Sequence, residues 1–448
     1  MQVDVLATTS LGDRSYVVHD GRDALVVDPQ RDLDRVRRVL GERGLRVGLV
    51  AETHIHNDYV TGGHALAAET GADYVVNAAD PVAFPRRAVS DGDVLTVGSL
   101  SVQVVATPGH TVTHLAYVVD DTAAHDEPAA VFTGGSLLFG SVGRTDLVDA
   151  ARTHELTAAQ FRSAHRLADL LADDTLVYPT HGFGSFCSSG GASGAESSTI
   201  GQERAGNDAL LASDEDDYVE TLVANLTAYP RYYAHMAPAN LAGPTESDLR
   251  PVDEVDPAEL TKRIADGEWV VDLHARTAFA ADHLRGSIGI ELGDQFATYL
   301  GWLIPWGTPV TLVADDAEAV AEAQRQLTRI GIDRPAGAAT GSSTDAADRS
   351  SYPTATFTDL AARAADEPVL DVRRDDERAL GGIPGATHVP LSDLLTRLDE
   401  LPTGRLWVHC ASGFRASVAA SLLDRAGHDV VLVDDAYDRA VELGLAAG

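Results

Sequence analysis

The stretch THIHNDYVTGG, residues 53–63, decides the fold and carries the clearest chemistry in the sequence. It follows the apolar run VGLVAE (47–52), which is typical of a buried β-strand. His54, His56 and Asp58 stand at alternate positions, so extended backbone would point their side chains the same way. Imidazole and carboxylate groups together bind zinc or iron. The stretch therefore predicts a metal site at the end of a strand.

Two more histidines lie in later motifs that also end β-rich runs. TPGHT (107–111) contains His110, and YPTHGFGS (178–185) contains His181. Up to about residue 180, short β-rich runs alternate with helical stretches, which predicts an α/β layered domain. Ligands that are remote in sequence can meet where several strands end, so both histidines join the predicted metal ligands.

The order of these motifs, HxHxD, TPGH, a TGG segment and PTHG, resembles the metallo-β-lactamase superfamily over residues 1–240. The resemblance implies an αββα sandwich. Within the superfamily, VGRTDL (142–147) and the C-terminal region resemble persulfide dioxygenases and glyoxalase II. Arg144 of VGRTDL is expected to bind the organic part of a thiol substrate, because a guanidinium pairs bidentately with a carboxylate.

Two positions depart from the pattern of superfamily members that bind two metals. Those members carry a histidine after the aspartate of HxHxD, where this chain has Tyr59. They also carry an aspartate after the TG of the third segment, where this chain has Gly135. We therefore expect a single metal ion. Its expected ligands are His54, His110 and His56. Asp58 and His181 are expected either to bind the ion as well or to contact its ligands, and Asp58 is a candidate catalytic residue.

The resemblance leaves three functions open for this region. A persulfide dioxygenase would use one Fe(II) ion to oxidise a thiol persulfide, R–S–SH, with O2 to sulfite and a thiol. A hydrolase of the glyoxalase II type would use Zn(II) to cleave a thioester, for which a hydroxide bridging two ions is the usual nucleophile. A region without catalytic metal would only bind a thiol. The expected single ion favours the dioxygenase.

The second half of the chain contains an internal repeat. EWVVDLHARTAFAADHLRGSIGIEL (268–292) and EPVLDVRRDDERALGGIPGATHVPL (367–391) share a strand ending in aspartate and a Gly-Ser or Gly-Ala turn before another strand. Linker-like composition precedes each copy, at 241–257 and 335–353. Each copy predicts an α/β domain with a parallel sheet. The predicted domains of the chain are 1–240, 255–338 and 352–448.

LWVHCASGFRAS (406–417) places Cys410 between an apolar strand and a helix. A small-residue loop at a helix start turns backbone N–H groups towards the sulfur, and Arg415 adds positive charge. This loop resembles the active loop of rhodaneses, which implies that Cys410 carries sulfane sulfur from thiosulfate-like donors. The residues expected to hold that sulfur are Ser412, Gly413 and Phe414. The first copy offers only Ala314 or Asp315 at this place, so we expect it to be inactive.

The net charge of −34 is spread along the whole chain, and Lys262 is its single lysine. Excess acid with little lysine favours a halophile's protein dissolved in concentrated salt over a local patch for a basic partner. The same charge disfavours nucleic acid as a partner.

The chain has only two cysteines, Cys187 and Cys410, so we expect no disulfide framework. We expect the protein to work in a reducing compartment. The sequence starts without a signal-peptide pattern and contains no apolar run of about 18 residues. We therefore expect a cytoplasmic protein that does not enter a membrane, and a homodimer is compatible with the resemblance.

Overall fold

The computed structural model describes residues 1–124, 127–190, 194–341, 348–364 and 366–446. The chain divides into two compact units, Met1–Asp248 with Thr328–Gly331, and Leu249–Leu327 with Ile332–Gly448. Within the described ranges, none of the helices has the length and apolar character needed to cross a membrane.

The first sheet of unit 1 has six strands in chain order. They are β1 (Gln2–Thr8), β2 (Asp13–His19), β3 (Asp23–Val27), β4 (Arg46–Ala51), β5 (Asp73–Asn77) and β6 (Arg87–Val89). The first three strands pair antiparallel, and β3 to β6 pair parallel. Helices α1 (Asp34–Arg43) and α2 (Gly63–Thr70) make the parallel crossovers on this sheet.

The second sheet of unit 1 runs in the order β12-β11-β10-β9-β8-β7. Its strands are β7 (Val94–Val97), β8 (Leu100–Ala106), β9 (Leu115–Asp121), β10 (Ala130–Gly134), β11 (Leu176–Pro179) and β12 (Ser198–Thr199). The other helical segments of unit 1 are a 3-10 turn (Ala150–Arg152) and α3 (Thr153–Leu170) between β10 and β11, and α4 (Ile200–Gly206), α5 (Asp208–Leu211), α6 (Glu215–Ala224) and α7 (Tyr233–Ala242) after β12.

Alternation along the strands shows how the layers stack. In β3, Leu25 and Val27 belong to a core cluster that also contains Val102 and Phe132 of the second sheet. Val26, between them, belongs to the cluster on the opposite face, which includes residues of α1 and α2. A separate cluster joins the outer face of the second sheet to α3 and α4. Two sheets face each other with helices outside, which confirms the αββα sandwich.

Unit 2 contains two parallel sheets and a short antiparallel pair. The first sheet is β13 (Trp269–Asp272), β15 (Ile288–Gly289), β16 (Val310–Ala314) and β17 (Gly337–Thr340); the pair is β14 (His283–Leu284) with β18 (Arg349–Ser350). The second sheet is β19 (Thr354–Ala355), β20 (Val369–Asp371), β21 (Thr387–His388), β22 (Leu406–His409) and β23 (Val430–Val433). The α-helices are α8 (Pro257–Ala265), α9 (Arg276–Ala281), α10 (Phe296–Leu303), α11 (Ala317–Arg329), α12 (Phe357–Ala361), α13 (Asp375–Ala379), α14 (Phe414–Arg425) and α15 (Tyr437–Glu442). Two 3-10 helices, Leu391–Thr396 and Leu398–Glu400, lie between β21 and β22.

The two parallel sheets of unit 2 share one strand order. The first runs β15-β13-β16-β17, and the second runs β21-β20-β22-β23 with β19 added at its edge. Asp272 lies opposite Val313 in the first sheet, as Asp371 lies opposite His409 in the second. The next residues along the chain, Ala314 and Cys410, are therefore equivalent. The shared order supports the predicted duplication, and a second rhodanese-like domain at 255–338 stays a prediction.

The predicted linker at 335–353 is wrong for part of its length. Gly337–Thr340 forms β17, and Arg349–Ser350 forms β18. Residues 342–347 of this segment lie outside the described residues. Its small residues indicate a linker by composition, yet Ala338 and Ala339 are buried beside β16, and a Cβ on Gly337 would collide with Val255.

Phe132 tests the core between the sheets of unit 1. Its side chain is buried, and its ring lies 5.1 Å from that of Tyr178 and 5.2 Å from that of Tyr16. Phe132→Ala should lower the free energy of unfolding by about 3–5 kcal/mol, measured by circular dichroism in urea. Val94→Ala, at a side chain that is 61% exposed, should stay within about 0.5 kcal/mol. Equal losses in the two variants would contradict this core.

Candidate functional site

Three predicted histidines meet at one edge of the sandwich. His54 follows β4, His110 lies between β8 and β9, and His181 follows β11. All three are buried, and one ligand nitrogen from each lies within 4.8 Å of the others. The Nε2 atoms of His54 and His181 are 3.4 Å apart. The strand ends thus bring together ligands that are far apart in sequence.

Each of these rings is held by its outer nitrogen. Nδ1 of His54 lies 2.9 Å from the Thr53 hydroxyl. Nδ1 of His110 lies 2.7 Å from the Arg144 carbonyl, and Nδ1 of His181 lies 2.9 Å from an Asp13 carboxylate oxygen. The Thr53 hydroxyl donates to Asp28, so it accepts from His54. An imidazole that donates through Nδ1 keeps a lone pair on Nε2. The three Nε2 lone pairs are therefore left for the centre.

The protonation states suit a metal. Burial, followed by the neighbouring imidazoles, holds the pKa of His54 and that of His110 well below the usual range. Neutral imidazole is the form that coordinates a metal ion. The Nε2 atom of His110 is buried without any hydrogen-bond partner, a cost that a metal ion at this point would remove. The donor set fits a divalent ion.

His56 approaches the centre with its other nitrogen. Its Nε2 faces oxygens of Tyr59, Glu52 and Asp28, at 2.9, 3.2 and 3.3 Å. Burial alone would lower the pKa of His56, but Asp28 and Glu52 raise it to about 10. Its Nδ1 is buried without a partner, and His56 forms a second possible ligand group with Asp58 and His181. A metal ion would take the place of the Nδ1 proton.

Asp58 stands at the centre with a free carboxylate. Both of its oxygens are buried without a hydrogen-bond partner, and one lies 3.3 Å from Nδ1 of His181. Burial and the nearby Asp13 raise the pKa of Asp58, and burial raises that of Asp13. The ligand group with His54 and the one with His56 both need His181. Since His181 can serve one ion, these two groups together offer a site for one ion. A third group, Asp28 with Glu52 and His56, does not use His181, but its oxygens already face Nε2 of His56.

Gly135 explains how His110 reaches this position. A Cβ on Gly135 would collide with the Cδ2 atom of His110, so the absence of a side chain leaves the space that the ring fills. The N–H of Gly135 donates to Nε2 of His114, whose ring stacks on His54. His114 therefore packs against His54, and both of its ring nitrogens have partners in the protein. The aspartate of the superfamily pattern has no equivalent carboxylate here.

Arg144 is already engaged by the protein. Its guanidinium donates to both carboxylate oxygens of Asp146, at 2.7 and 2.8 Å, and to the carbonyls of Phe186 and Thr227. Its side chain is buried, and its carbonyl oxygen orients His110. A substrate contact by Arg144 stays a prediction; the geometry supports a role in fixing the wall of the site. Burial also raises the pKa of the nearby Cys187 thiol well above its usual value.

Three acidic residues of this site escaped the sequence analysis. Asp13, Asp28 and Glu52 are all buried and surround the histidines through the contacts given above. Asp28 and Glu52 each end a β-rich run, and a buried acid at that place is a signal of a polar site. Asp13 stands in no comparable pattern, because it lies in the turn that enters β2.

The predicted sulfur carrier lies in unit 2. Cys410 follows β22 and is buried, and its Sγ accepts a hydrogen bond from the Gly413 N–H at 3.2 Å. Gly413 has φ of +93°, and a Cβ there would collide with the Asp434 carboxylate, so glycine is required. Helix α14 begins at Phe414. The described loop places one backbone N–H on the sulfur.

Arg415 is oriented by the second copy itself. Its guanidinium pairs with both carboxylate oxygens of Glu377 in α13, with Nη2 2.7 Å from Oε1. This bidentate pair holds the cation close to Cys410. The predicted catalytic residue is thus part of a fixed ion pair beside the sulfur.

The first copy has a different polar group at the corresponding edge. His274 lies with Nδ1 2.6 Å from Asp272 and Nε2 3.1 Å from Asp315, the residue after Ala314. The hydrogen bond that the His274 ring donates to Asp272 outweighs burial and raises the pKa of His274 to about 9. Two carboxylates and an imidazolium thus stand where the second copy has its cysteine loop.

Comparison with known proteins agrees with this anatomy. Residues 356–442 match the family of rhodanese-like domains. The crystal structure of a metallo-beta-lactamase from Staphylococcus aureus superposes with a TM-score of 0.68 and 26% identity, over 76% of this chain and 99% of that one. The chain therefore combines a metallo-β-lactamase fold with a C-terminal rhodanese-like domain.

Two curated relatives match the metallo-β-lactamase region. The mitochondrial persulfide dioxygenase ETHE1 of Homo sapiens is 28% identical over 237 residues, which is 52% of this chain and 82% of that protein. The hydroxyacylglutathione hydrolase of Acidiphilium cryptum is 35% identical over 167 residues, which is 37% of this chain and 62% of that protein.

Removal of one imidazole tests the metal centre. His110→Ala should weaken the binding of a single Co(II) ion by more than about a hundredfold, because it removes a direct ligand. The measurement is a titration of metal-free protein against a chromophoric chelator. His165→Ala, at a histidine that bonds the Ala209 carbonyl, should bind as the unaltered protein does. Two tight ions per unaltered chain would contradict a single site.

The His274 ion pairs predict a pH-dependent contribution to stability. Because the pKa of His274 is raised, its stabilisation is complete below the unfolded value of about 6.5 and is lost as the pH rises through about 9. The difference in unfolding free energy between the unaltered protein and His274→Gln should therefore shrink from pH 6 to pH 10. Tryptophan fluorescence in urea measures it. A difference independent of pH would contradict the charged imidazole.

Proposed function

We propose that the chain oxidises a low-molecular-weight persulfide at the metal centre and exchanges sulfane sulfur at Cys410. The first reaction is R–S–SH + O2 + H2O → R–SH + SO3²⁻ + 2 H⁺. The S–S bond breaks, the two sulfur atoms together lose four electrons, and O2 takes up those four. The observation that carries the proposal is the donor set for one ion, converging from His54, His110 and His181.

The proposed cofactor is one Fe(II) ion per chain. Iron held at this site would supply one-electron redox chemistry towards O2, which Zn(II) lacks. The three Nε2 atoms and the Nδ1 of His56 are the available ligands, and Thr53, Arg144 and Asp13 keep the first three rings turned inward. The similarity to a persulfide dioxygenase at 28% identity supports this assignment.

Asp58 is the proposed proton acceptor. Its carboxylate is buried at the centre and has no hydrogen-bond partner, so it is available to take one of the two protons released. Burial raises its pKa, which makes it a stronger base than an exposed carboxylate. In this role Asp58 touches the reacting substrate.

Cys410 is the proposed carrier of sulfane sulfur. Its thiolate attacks the outer sulfur of a thiosulfate-like donor: Cys–S⁻ + S–SO3²⁻ → Cys–S–S⁻ + SO3²⁻. A small thiolate then removes that sulfur: Cys–S–S⁻ + R–S⁻ → Cys–S⁻ + R–S–S⁻. The Gly413 N–H and the Arg415 guanidinium stabilise the anionic sulfur throughout. The product is a persulfide of the kind that the metal centre would consume.

Thioester hydrolysis is the second candidate. The hydrolase of Acidiphilium cryptum shows higher identity than the dioxygenase, over a shorter stretch, which favours it. A bridging hydroxide needs two adjacent filled sites, however, and the ligand groups around His54 and Asp58 share His181. In the third group, Nε2 of His56 already faces Asp28 and Glu52 at 3.3 and 3.2 Å. Tyr59 supplies a phenol at the position where the two-metal pattern has a histidine, and that phenol lies on His56.

Separate substitutions should separate the two activities. Cys410→Ser should abolish sulfur transfer from thiosulfate to a thiol, but leave O2 uptake with synthetic cysteine persulfide within about twofold. His110→Ala should do the reverse. Both are measured on protein prepared anaerobically with Fe(II) in high salt, by thiol-persulfide formation and an oxygen electrode.

Cys187→Ser is the matched control. It exchanges the other cysteine, which is buried, and should retain both activities. Persistent O2 uptake in His110→Ala would place the oxidation elsewhere. Thioester hydrolysis with Zn(II), together with no O2 uptake in the unaltered protein, would establish the second candidate instead.

A further inference from the structure

We propose that Asp13 is the positioning residue that commits His181 to the ligand group of His54 and His110. The inference rests on the metal centre of the proposed function, and extends it to a residue outside the metal-binding motifs. Asp13 lies in the turn before β2, and none of the motifs in the sequence includes it. Its carboxylate is nevertheless part of the site.

His181 has to be directed because it belongs to two of the three possible ligand groups. Its Nδ1 lies 2.9 Å from an Asp13 oxygen and 3.3 Å from an Asp58 oxygen, and all three side chains are buried. A carboxylate that accepts the Nδ1 proton leaves Nε2 as the only nitrogen with a lone pair. That Nε2 points to His54, at 3.4 Å. The contact with Asp13 therefore turns the lone pair of His181 towards His54 and the group that contains His110.

Backbone contacts deliver Asp13 to this point. The Arg14 N–H donates to the Thr180 carbonyl at 2.8 Å, and the Phe183 N–H donates to the Gly12 carbonyl at 3.2 Å. These bonds join the turn before β2 to the loop that carries His181. Gly12 has φ of +70°, and a Cβ on it would collide with the backbone at Ser185. Glycine before Asp13 thus permits the close approach of the two loops.

Charge gives Asp13 a second effect on the ion. A ligand group of three neutral imidazoles brings no negative charge to a buried divalent ion, and Gly135 brings none where the superfamily pattern has aspartate. A carboxylate bonded to a ligand histidine makes that imidazole a better donor. Asp13 provides such a carboxylate on the side of His181. We therefore expect its loss to weaken metal binding through a residue that does not touch the ion.

The test compares three substitutions by Co(II) titration and by the visible spectrum of the Co(II) protein. Asp13→Asn keeps the volume and removes the charge, and should weaken Co(II) binding about tenfold. Asp13→Ala also removes the hydrogen-bond acceptor. It should weaken Co(II) binding by about a hundredfold and alter the visible spectrum of the Co(II) protein. Asp80→Asn, a matched change at a buried carboxylate bonded to Thr113, should bind as the unaltered protein does.

Thermal unfolding of the metal-free proteins separates folding from binding. If Asp13→Ala does not fold, the nearly isosteric Asp13→Asn decides the outcome. Unchanged affinity and spectrum in Asp13→Asn, or an equal loss in Asp80→Asn, would overturn the inference. Because Co(II) binding needs no turnover, a protein that fails to consume O2 but shows these shifts would refute the proposed function and leave the role of Asp13 standing.

Discussion

Imidazoles buried inside a sandwich of sheets can share one centre only if each outer nitrogen finds an oxygen. Otherwise a donor or a lone pair would be buried without a partner, at a cost of about 1–3 kcal/mol for each ring. Here a hydroxyl, a carbonyl and a carboxylate meet that requirement for His54, His110 and His181. The same three contacts turn the Nε2 atoms inward. At the centre itself, Nε2 of His110, Nδ1 of His56 and both oxygens of Asp58 still lack a partner.

This requirement explains the two departures from the superfamily pattern, Tyr59 and Gly135, when they are taken together with Asp13. Tyr59 places its hydroxyl on Nε2 of His56, beside the carboxylates of Glu52 and Asp28. Gly135 leaves the space that the His110 ring occupies. Asp13 adds a carboxylate behind His181. Tyr59 and Gly135 each replace an expected donor of a second ion, and Asp13 supports a ring of the first, which together favours chemistry at a single ion.

The alternation of β-rich and helical runs predicted a layered α/β domain, the resemblance of its motifs implied the sandwich, and the short motifs predicted the histidines. His54 and His56 alternate along one strand end, and His110 and His181 each lie in a short motif. Asp13 was not predicted, since its approach to His181 depends on pairing between loops about 170 residues apart. The strand at Gly337–Thr340 was missed for a related reason. Its small residues are typical of a linker, and only the contact between Gly337 and Val255 in the fold explains why one of them has to be small.

The first copy of the repeat has Ala314 where the second has Cys410, yet its side chains support the second copy within unit 2. Its Arg276 donates to Asp434 at 2.7 Å, and that carboxylate fills the space beside Gly413 in the cysteine loop. Tyr299 of α10 lies edge-on to Phe414, with 5.3 Å between ring centroids, where helix α14 begins. Loss of the first copy would remove a cation and an aromatic wall from the loop that holds the Cys410 sulfur. The support of the cysteine loop is therefore shared between both copies of the repeat within unit 2.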